Sequence, residues 1–233
     1  MSPIARSCQI CAVTTTQCFC SLSRESLLGM QSLGSHVHLS SGDTLLREGF
    51  SADRVFVVCE GALKLSASSA DGKLLLLRIA GPGDVIGLSA AIKGAQHEVT
   101  AEALEPATVK SIPRSEFLSF MESFRDVSFN TARTMATEYD GMLHTARRLA
   151  LSNSAAGKLA AALLDWGRLK RPVNGTALRF NMPLTHEELG NMAGISRETV
   201  TRLVTKFRGE GLLEFESGVM TLPAPGKLEA RYC

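Results

Sequence analysis

Leu184-Thr-His-Glu-Glu-Leu-Gly-Asn-Met-Ala-Gly-Ile-Ser-Arg-Glu-Thr-Val-Thr-Arg-Leu-Val204 parses as helix, turn, helix. Thr185 is a good N-cap, and Glu188 three residues later completes a capping box. Leu189 and Met192 supply an inward face, Gly194 tolerates the positive φ of a tight inter-helix turn, and Ile195 plugs that turn. Ser196 caps the second helix, with Thr199 at its third position. In that helix Val200, Leu203, Val204 and Phe207 share one face, which must be the buried one. Arg197, Glu198, Thr201 and Arg202 then point outward near the N-terminal end.

Outward Arg, Glu and Thr at the start of such a helix can read a major groove. Arg makes a bidentate contact to guanine O6 and N7, and Glu accepts from cytosine N4. Lys206 and Arg208 further along can reach phosphates, which give affinity without sequence information. Thr185 and Ser196, at the starts of the two helices, complete the expected DNA-contacting set of Thr185, Ser196, Arg197, Glu198, Thr201, Arg202 and Lys206. Glu214-Phe-Glu-Ser-Gly-Val-Met-Thr-Leu222 reads as a two-strand wing turning at Ser217-Gly218. The local charge agrees with a polyanion partner. Residues 1–143 carry 12 Lys+Arg and 15 Asp+Glu, and residues 144–233 carry 13 and 8, so a net +2 hides halves of −3 and +5.

Upstream of this basic module, a helix is expected from Ser154 to Leu169, followed by the loop Lys170-Arg-Pro-Val-Asn-Gly175. From Ser115 to Leu151 there is neither Pro nor a turn cluster. Phe129, Ala132, Ala136, Tyr139, Leu143, Ala146 and Ala150 step by 3 and 4 there, with Met135, Met142 and Leu149 widening the stripe. That is the seam of a long helix packing on another, read as its own copy in a homodimer. From Leu39 to Ile112 the chain is instead a run of short β-branched and aliphatic stretches between glycines, with a strong hairpin turn at Ala70-Asp-Gly-Lys73. Short strands at that spacing indicate an antiparallel sandwich or barrel.

At 233 residues and 45% hydrophobic, the chain has material for a real core, which argues against a disordered or collagen-like protein. It has neither an apolar run long enough for a membrane span nor a secretory signal, so the cytoplasm is the expected compartment. His36, His38, His97, His144 and His186 are scattered, and no nucleophile triad or phosphate-cradling loop is present, so an enzyme is not expected. Of six cysteines, Cys8, Cys11, Cys18 and Cys20 crowd into a leader, Cys59 sits in an apolar run and Cys233 ends the chain. In a reducing compartment such a cluster reads as a metal site or redox switch rather than a disulfide framework.

Taken together, the residues resemble the Crp/Fnr family of bacterial transcription regulators along nearly the whole chain. The match is most specific in Ile195-Ser-Arg-Glu-Thr-Val-Thr-Arg202, in Leu212-Leu213 with the wing, and in Gly81-Pro-Gly-Asp-Val-Ile-Gly87. The resemblance implies an α+β chain: a cysteine-rich leader (1–24), a double-stranded β-helix sensor, the cyclic-nucleotide-binding-like jelly roll (25–114), a dimerisation helix (115–151) and a winged helix-turn-helix (152–233). It implies double-stranded DNA, a second copy of the chain and RNA polymerase as partners, and no membrane. By position, Arg197, Glu198 and Arg202 match the base readers of the cyclic-AMP receptor subgroup, which implies half-sites close to TGTGA about one DNA turn apart, roughly 34 Å.

Family members that bind cyclic nucleotide carry Glu directly after the matching Gly and an Arg-Ser pair on the next segment. This chain has Gly87-Leu88-Ser89 and His97-Glu98-Val99 there, and a carboxylate at the phosphate position argues against cyclic AMP. The leader is similar to that of oxygen-sensing Fnr proteins, which ligate a [4Fe–4S] cluster with a fourth cysteine from the strand ending in Ile-Pro. Here that position is Lys110, so Cys8, Cys11 and Cys18 would need Cys20 or Cys59 as the fourth thiolate. Thiol or disulfide redox sensing, zinc, and a haem or nucleotide-type ligand are the alternative inputs, and an adaptor dimer that binds no DNA is the alternative protein.

Overall fold

The computed structural model describes residues 18–152, 154–169 and 177–233. Cys8 and Cys11, and the expected loop from Lys170 to Gly175, lie outside the described residues. The chain divides into two compact units, Met1–Gly141 and Met142–Cys233.

The first unit opens with α1 (Arg24–Ser32), capped by the Ser23 hydroxyl on the Ser26 amide. Eight strands follow: β1 (Ser35–Leu39), β2 (Thr44–Leu46), β3 (Arg54–Glu60), β4 (Leu63–Ser68), β5 (Leu74–Ala80), β6 (Val85–Ile86), β7 (Thr100–Ala103) and β8 (Ala107–Pro113), with α2 (Leu88–Lys93) between β6 and β7. They form two antiparallel sheets, ordered β1-β8-β3-β6 and β2-β7-β4-β5. Gly72, at a φ of 81°, makes the expected hairpin turn between β4 and β5.

Strand β3 explains why Val55-Phe-Val-Val58 is apolar without alternation: both of its faces are covered. Phe56 and Val58 pack between the sheets with Leu63, Leu65, Ile86 and Val109. Val55 and Val57 face outward onto a second core with Phe19, Met30, Leu88, Ile112, Phe117, Phe120 and Val127. At about 25 cal/mol per Å² of apolar surface removed from water, such doubly covered strands are the main stabilising elements of the unit.

The stretch 115–151, expected as one helix, is two. α3 (Arg114–Ser123) ends where Phe124 turns extended, at φ −129° and ψ 113°, and α4 (Arg125–Leu151) begins at once. Packing causes the break. α3 must lay Phe117 and Phe120 on the outer core, whereas α4 is held at its start by Asp126, whose carboxylate accepts from the Ser23 amide at 2.7 Å and the Ser26 hydroxyl at 2.6 Å.

The second unit holds the end of α4, then α5 (Ala155–Leu169), β9 (Leu178–Asn181), α6 (His186–Ala193), α7 (Arg197–Gly209), β10 (Glu214–Glu216), β11 (Val219–Leu222) and α8 (Pro225–Tyr232). The wing turn carries positive φ at Ser217 and Gly218, as a tight two-residue hairpin requires. The expected two-strand wing is there as the β10–β11 hairpin, and β9 joins its sheet, in the order β10-β11-β9, pairing Phe180 with Met220. Among the described residues, no helix is long and apolar enough to cross a membrane.

Candidate nucleic-acid interface and sensor leader

The helix-turn-helix is built as its sequence dictates. The Thr185 hydroxyl accepts from the Glu188 amide, and the Glu188 carboxylate accepts from the Thr185 amide at 2.9 Å, a complete capping box. Gly194 ends α6 at φ 66°, and Ser196 caps α7 through the Thr199 amide. Gly190 allows the close approach behind the turn, since a Cβ there would stand 2.6 Å from the Ile195 carbonyl oxygen. Val200, Leu203, Val204 and Phe207 are buried, which turns the opposite face of α7 outward.

Arg197, Glu198, Thr201, Arg202 and Thr205 line one shallow, open surface on that face. The Glu198 carboxyl is held below the usual carboxylate range by its own backbone N–H and by the Ser196 hydroxyl, with Arg197 alongside. It is therefore an ionised acceptor, as contact with cytosine N4 needs. Thr201 Oγ1 lies 3.1 Å from the Arg197 carbonyl oxygen, to which it donates, and 2.9 Å from His186 Nδ1. Thr205 and His186 were absent from the sequence-derived set. Thr205 follows from the helical period, being eight residues after Arg197, but the His186 contact has no sequence signal. Lys206 lies outside this lined surface, its ammonium 5.2 Å from the centre of the Tyr232 ring.

All seven seam positions of α4, from Phe129 to Ala150, are exposed in the single chain. Phe129 is 67% and Tyr139 64% accessible, which is unusual for aromatics this regularly spaced. A different stripe of α4 holds the leader. Asp126 takes Ser23 and Ser26, Asn130 donates to the carbonyls of Phe19 and Ser21, and Arg133 donates to that of Cys18 at 3.4 Å. Positions 126, 130 and 133 share one helical face. The leader therefore ends folded onto α4 and the barrel, with the Phe19 amide bonded to the Gly83 carbonyl.

That placement bears on the cysteines. Cys18 is buried, and Cys20 packs against the outer core. Gly83 also donates to the Val58 carbonyl, so Phe19 of the leader end and Val58 of β3 bond to the same turn. Lys110, buried and 2% accessible, sends its Nζ 3.3 Å to the Gln31 carbonyl in the last turn of α1. A cation on a C-terminal helix carbonyl is a favourable cap. Among the described residues no group of three or more His, Cys, Asp and Glu is close enough to hold a metal ion.

The chain matches the family described as Cyclic nucleotide-binding domain over residues 36–124, and that described as Crp-like helix-turn-helix domain over residues 157–231. It is 28% identical to the nitrogen fixation regulation protein FixK of Bradyrhizobium diazoefficiens, covering 99% of this chain and 95% of that protein. It is 30% identical to the transcriptional activator protein FnrA of Stutzerimonas stutzeri, over 76% of this chain and 72% of FnrA. The chain belongs to the Crp/Fnr family of transcription regulators. Its fold is that of the solved FixK2 of Bradyrhizobium japonicum, with a TM-score of 0.75 at 23% identity over 85% of this chain and 96% of that one. As a Crp/Fnr regulator it binds DNA through its helix-turn-helix.

Within this Crp/Fnr barrel, Glu98 is turned to solvent, contrary to the expectation that its carboxylate would repel a ligand phosphate. Its side chain is 75% accessible and pairs with Lys93 at 3.6 Å, so it faces solvent and would not repel a phosphate inside. The groups turned inward are His97, which is buried, and Val99, which packs on the inter-sheet core. The His97 Cε1 stands 3.1 Å from where a Gly87 Cβ would be, and Leu88, at the position of the family's ribose-binding Glu, is in the outer core. Arg78 on β5 joins the Gly81–Gly87 turn to α4, bonding Glu138 at 2.5 Å and Asp84 at 3.4 Å. Burial raises the Glu138 carboxyl above its ordinary range; Arg78 opposes that shift and Asp84 adds to it.

Proposed function

We propose that this regulator acts as a homodimer on a palindrome with TGTGA-like half-sites, and that its signal enters at the cysteine leader as a redox or oxygen signal. The observation that carries the DNA reading is the outward face of α7. There Arg197, an ionised Glu198 and Arg202 stand together on a capped helix above a buried apolar face. Arg197 and Arg202 are assigned to guanine and Glu198 to cytosine. Thr185, Ser196, Thr201 and Lys206 are assigned to the phosphate backbone and to holding the readers in register. Two copies meet along Phe129 to Ala150, which sets the half-sites about one DNA turn apart, roughly 34 Å. RNA polymerase is a further partner of this reading where the output is activation.

The leader's donor chemistry fits a [4Fe–4S] cluster: four soft thiolates drawn from Cys8, Cys11 and Cys18 with Cys20 or Cys59. When bound, the cluster would supply a multiply charged, oxidant-sensitive group. The chain's own part is to carry its state onward: Asn130, Arg133 and Asp126 tie the leader to α4, on a face of the helix other than the seam. Loosening or tightening that tie biases the packing of α4. Thiol redox chemistry at the same cysteines is the second reading, favoured by four thiols, Cys8, Cys11, Cys18 and Cys20, falling within thirteen residues.

Anaerobic isolation with an absorption spectrum and iron analysis tests the cluster. Brown protein that bleaches in air and loses operator affinity supports it, and colourless, iron-free protein that binds its operator in a thiol-dependent way moves the assignment to the second reading.

A further inference from the structure

Arg148 lies in the last turns of α4, between the seam positions Ala146 and Ala150, yet it is buried, with its side chain 7% accessible. Its guanidinium reaches two other helices. Nη1 donates to Asp165 on α5 at 3.0 Å, and Nη2 donates to the Met192 carbonyl in the last turn of α6 at 3.1 Å. The next residue, Leu149, has its Cδ2 3.0 Å from where a Cβ on Gly194 would stand, so residues 148 and 149 seat against the end of α6 and the turn into α7.

Stability alone does not account for a guanidinium here. Its Nε is buried with no acceptor among the described residues, and Asp165 is 43% accessible. A well-packed hydrophobe in place of a buried ion pair is often neutral or better. Geometry does account for it. The planar fork, with donors fixed in direction, engages two acceptors on separate helices at once, which fixes orientation in a way an apolar contact cannot.

We propose that Arg148 is a positioning residue for DNA recognition: it locks the helix-turn-helix onto the end of α4 and thereby sets where α7 stands relative to the dimer seam. The inference rests on the palindrome reading above, because Leu143, Ala146 and Ala150 of that seam flank Arg148 on the same helix. Arg148 touches neither α7's outward face nor DNA in this scheme. Its loss should leave base reading intact and relax the distance at which two half-sites can be read.

The test uses the full chain in its DNA-binding form and duplexes carrying two TGTGA half-sites, at the best spacing and with one or two base pairs inserted or removed. Wild type is expected to lose at least about tenfold on altered spacing, within the range a wrong contact costs. Arg148→Met should bring that ratio to within about threefold, while a single-base change opposite Arg197 costs it the same factor as wild type, about five- to 100-fold. Arg148→Lys, which keeps the charge but has one nitrogen in place of the planar fork, should fall between. Asp165→Asn keeps the buried stem and the Met192 contact, serves if Arg148→Met does not fold, and should also relax spacing. Unchanged spacing selectivity in Arg148→Met, or in Asp165→Asn if only that variant folds, overturns the role of Arg148 and leaves the palindrome reading standing. Wild-type protein indifferent to spacing overturns the palindrome reading and this role together.

Discussion

Asn130 on α4 donates its Nδ2 to the carbonyl oxygens of both Phe19 and Ser21, at 3.3 and 2.7 Å, across 111 and 109 residues of chain. One amide thus holds a turn of the leader against a helix whose neighbouring face is the exposed seam. Asn130→Ala leaves both carbonyls without this donor and should weaken the tie by about 1–3 kcal/mol. Trypsin cleavage at Arg24 is then expected to quicken by roughly 5- to 150-fold, following the open population. Cleavage at the wild-type rate would show that the leader is held by other means.

Arg197→Ala should remove preference for the palindrome over scrambled DNA, at about 1–3 kcal/mol per half-site. Lys206→Ala should instead weaken specific and non-specific binding alike and lower the salt slope by about 1 per protomer. Because Lys206 rests on the Tyr232 ring, Tyr232→Leu should free the ammonium and change the salt slope without changing half-site preference. Gel-shift titrations across salt read all three. A change in base preference in Lys206→Ala would remove it from the phosphate-contacting set.

Tyr139, exposed on the seam, offers a test of self-association. In Tyr139→Glu two like charges face each other across the symmetry axis, at a cost of roughly 3 kcal/mol, or about 100-fold in dimer dissociation constant. Sedimentation velocity should show monomer at concentrations where wild type is dimeric. A variant that sediments as wild type would place the interface elsewhere.

Burial lowers the pKa of His97, against an opposing pull from Asp53, and His36 is lowered by burial and then by Lys110 and His38. Both imidazoles therefore prefer to be neutral in the folded chain. As pH falls below about 6.5, the unfolded chain takes up these protons first, and stability is lost progressively until the folded histidines also titrate. Urea midpoints should drop between pH 7 and pH 5, and His97→Gln should flatten that slope. An unchanged slope would mean that His97 is not held neutral.

The helix-turn-helix was legible from sequence because everything that makes it is local. A capping box spans four residues, the turn glycine sits between its two helices, and the buried face repeats within one helix. What was not legible depends on distant partners. The break at Phe124 follows from Phe117 and Phe120 docking on a sheet and Asp126 capturing Ser23. The pairing of β9 with the wing joins segments on either side of the two recognition-module helices. Which of His97, Glu98 and Val99 faces inward was not legible because these three lie in the bend before β7, where no strand alternation fixes it. Lys110 reads as a missing ligand in sequence, and in space it is a cap on α1.

The uncovered seam has a further consequence. If two copies must meet to hide it, the DNA-binding species scales with the square of the protomer concentration well below the dimer constant, and the stability measured depends on that concentration too. The cell's synthesis rate for this chain would then be an input alongside the chemical signal. A halving of its abundance would cost nearly fourfold in dimer, and the leader tie need only shift the assembly constant modestly to turn a target gene from silent to occupied.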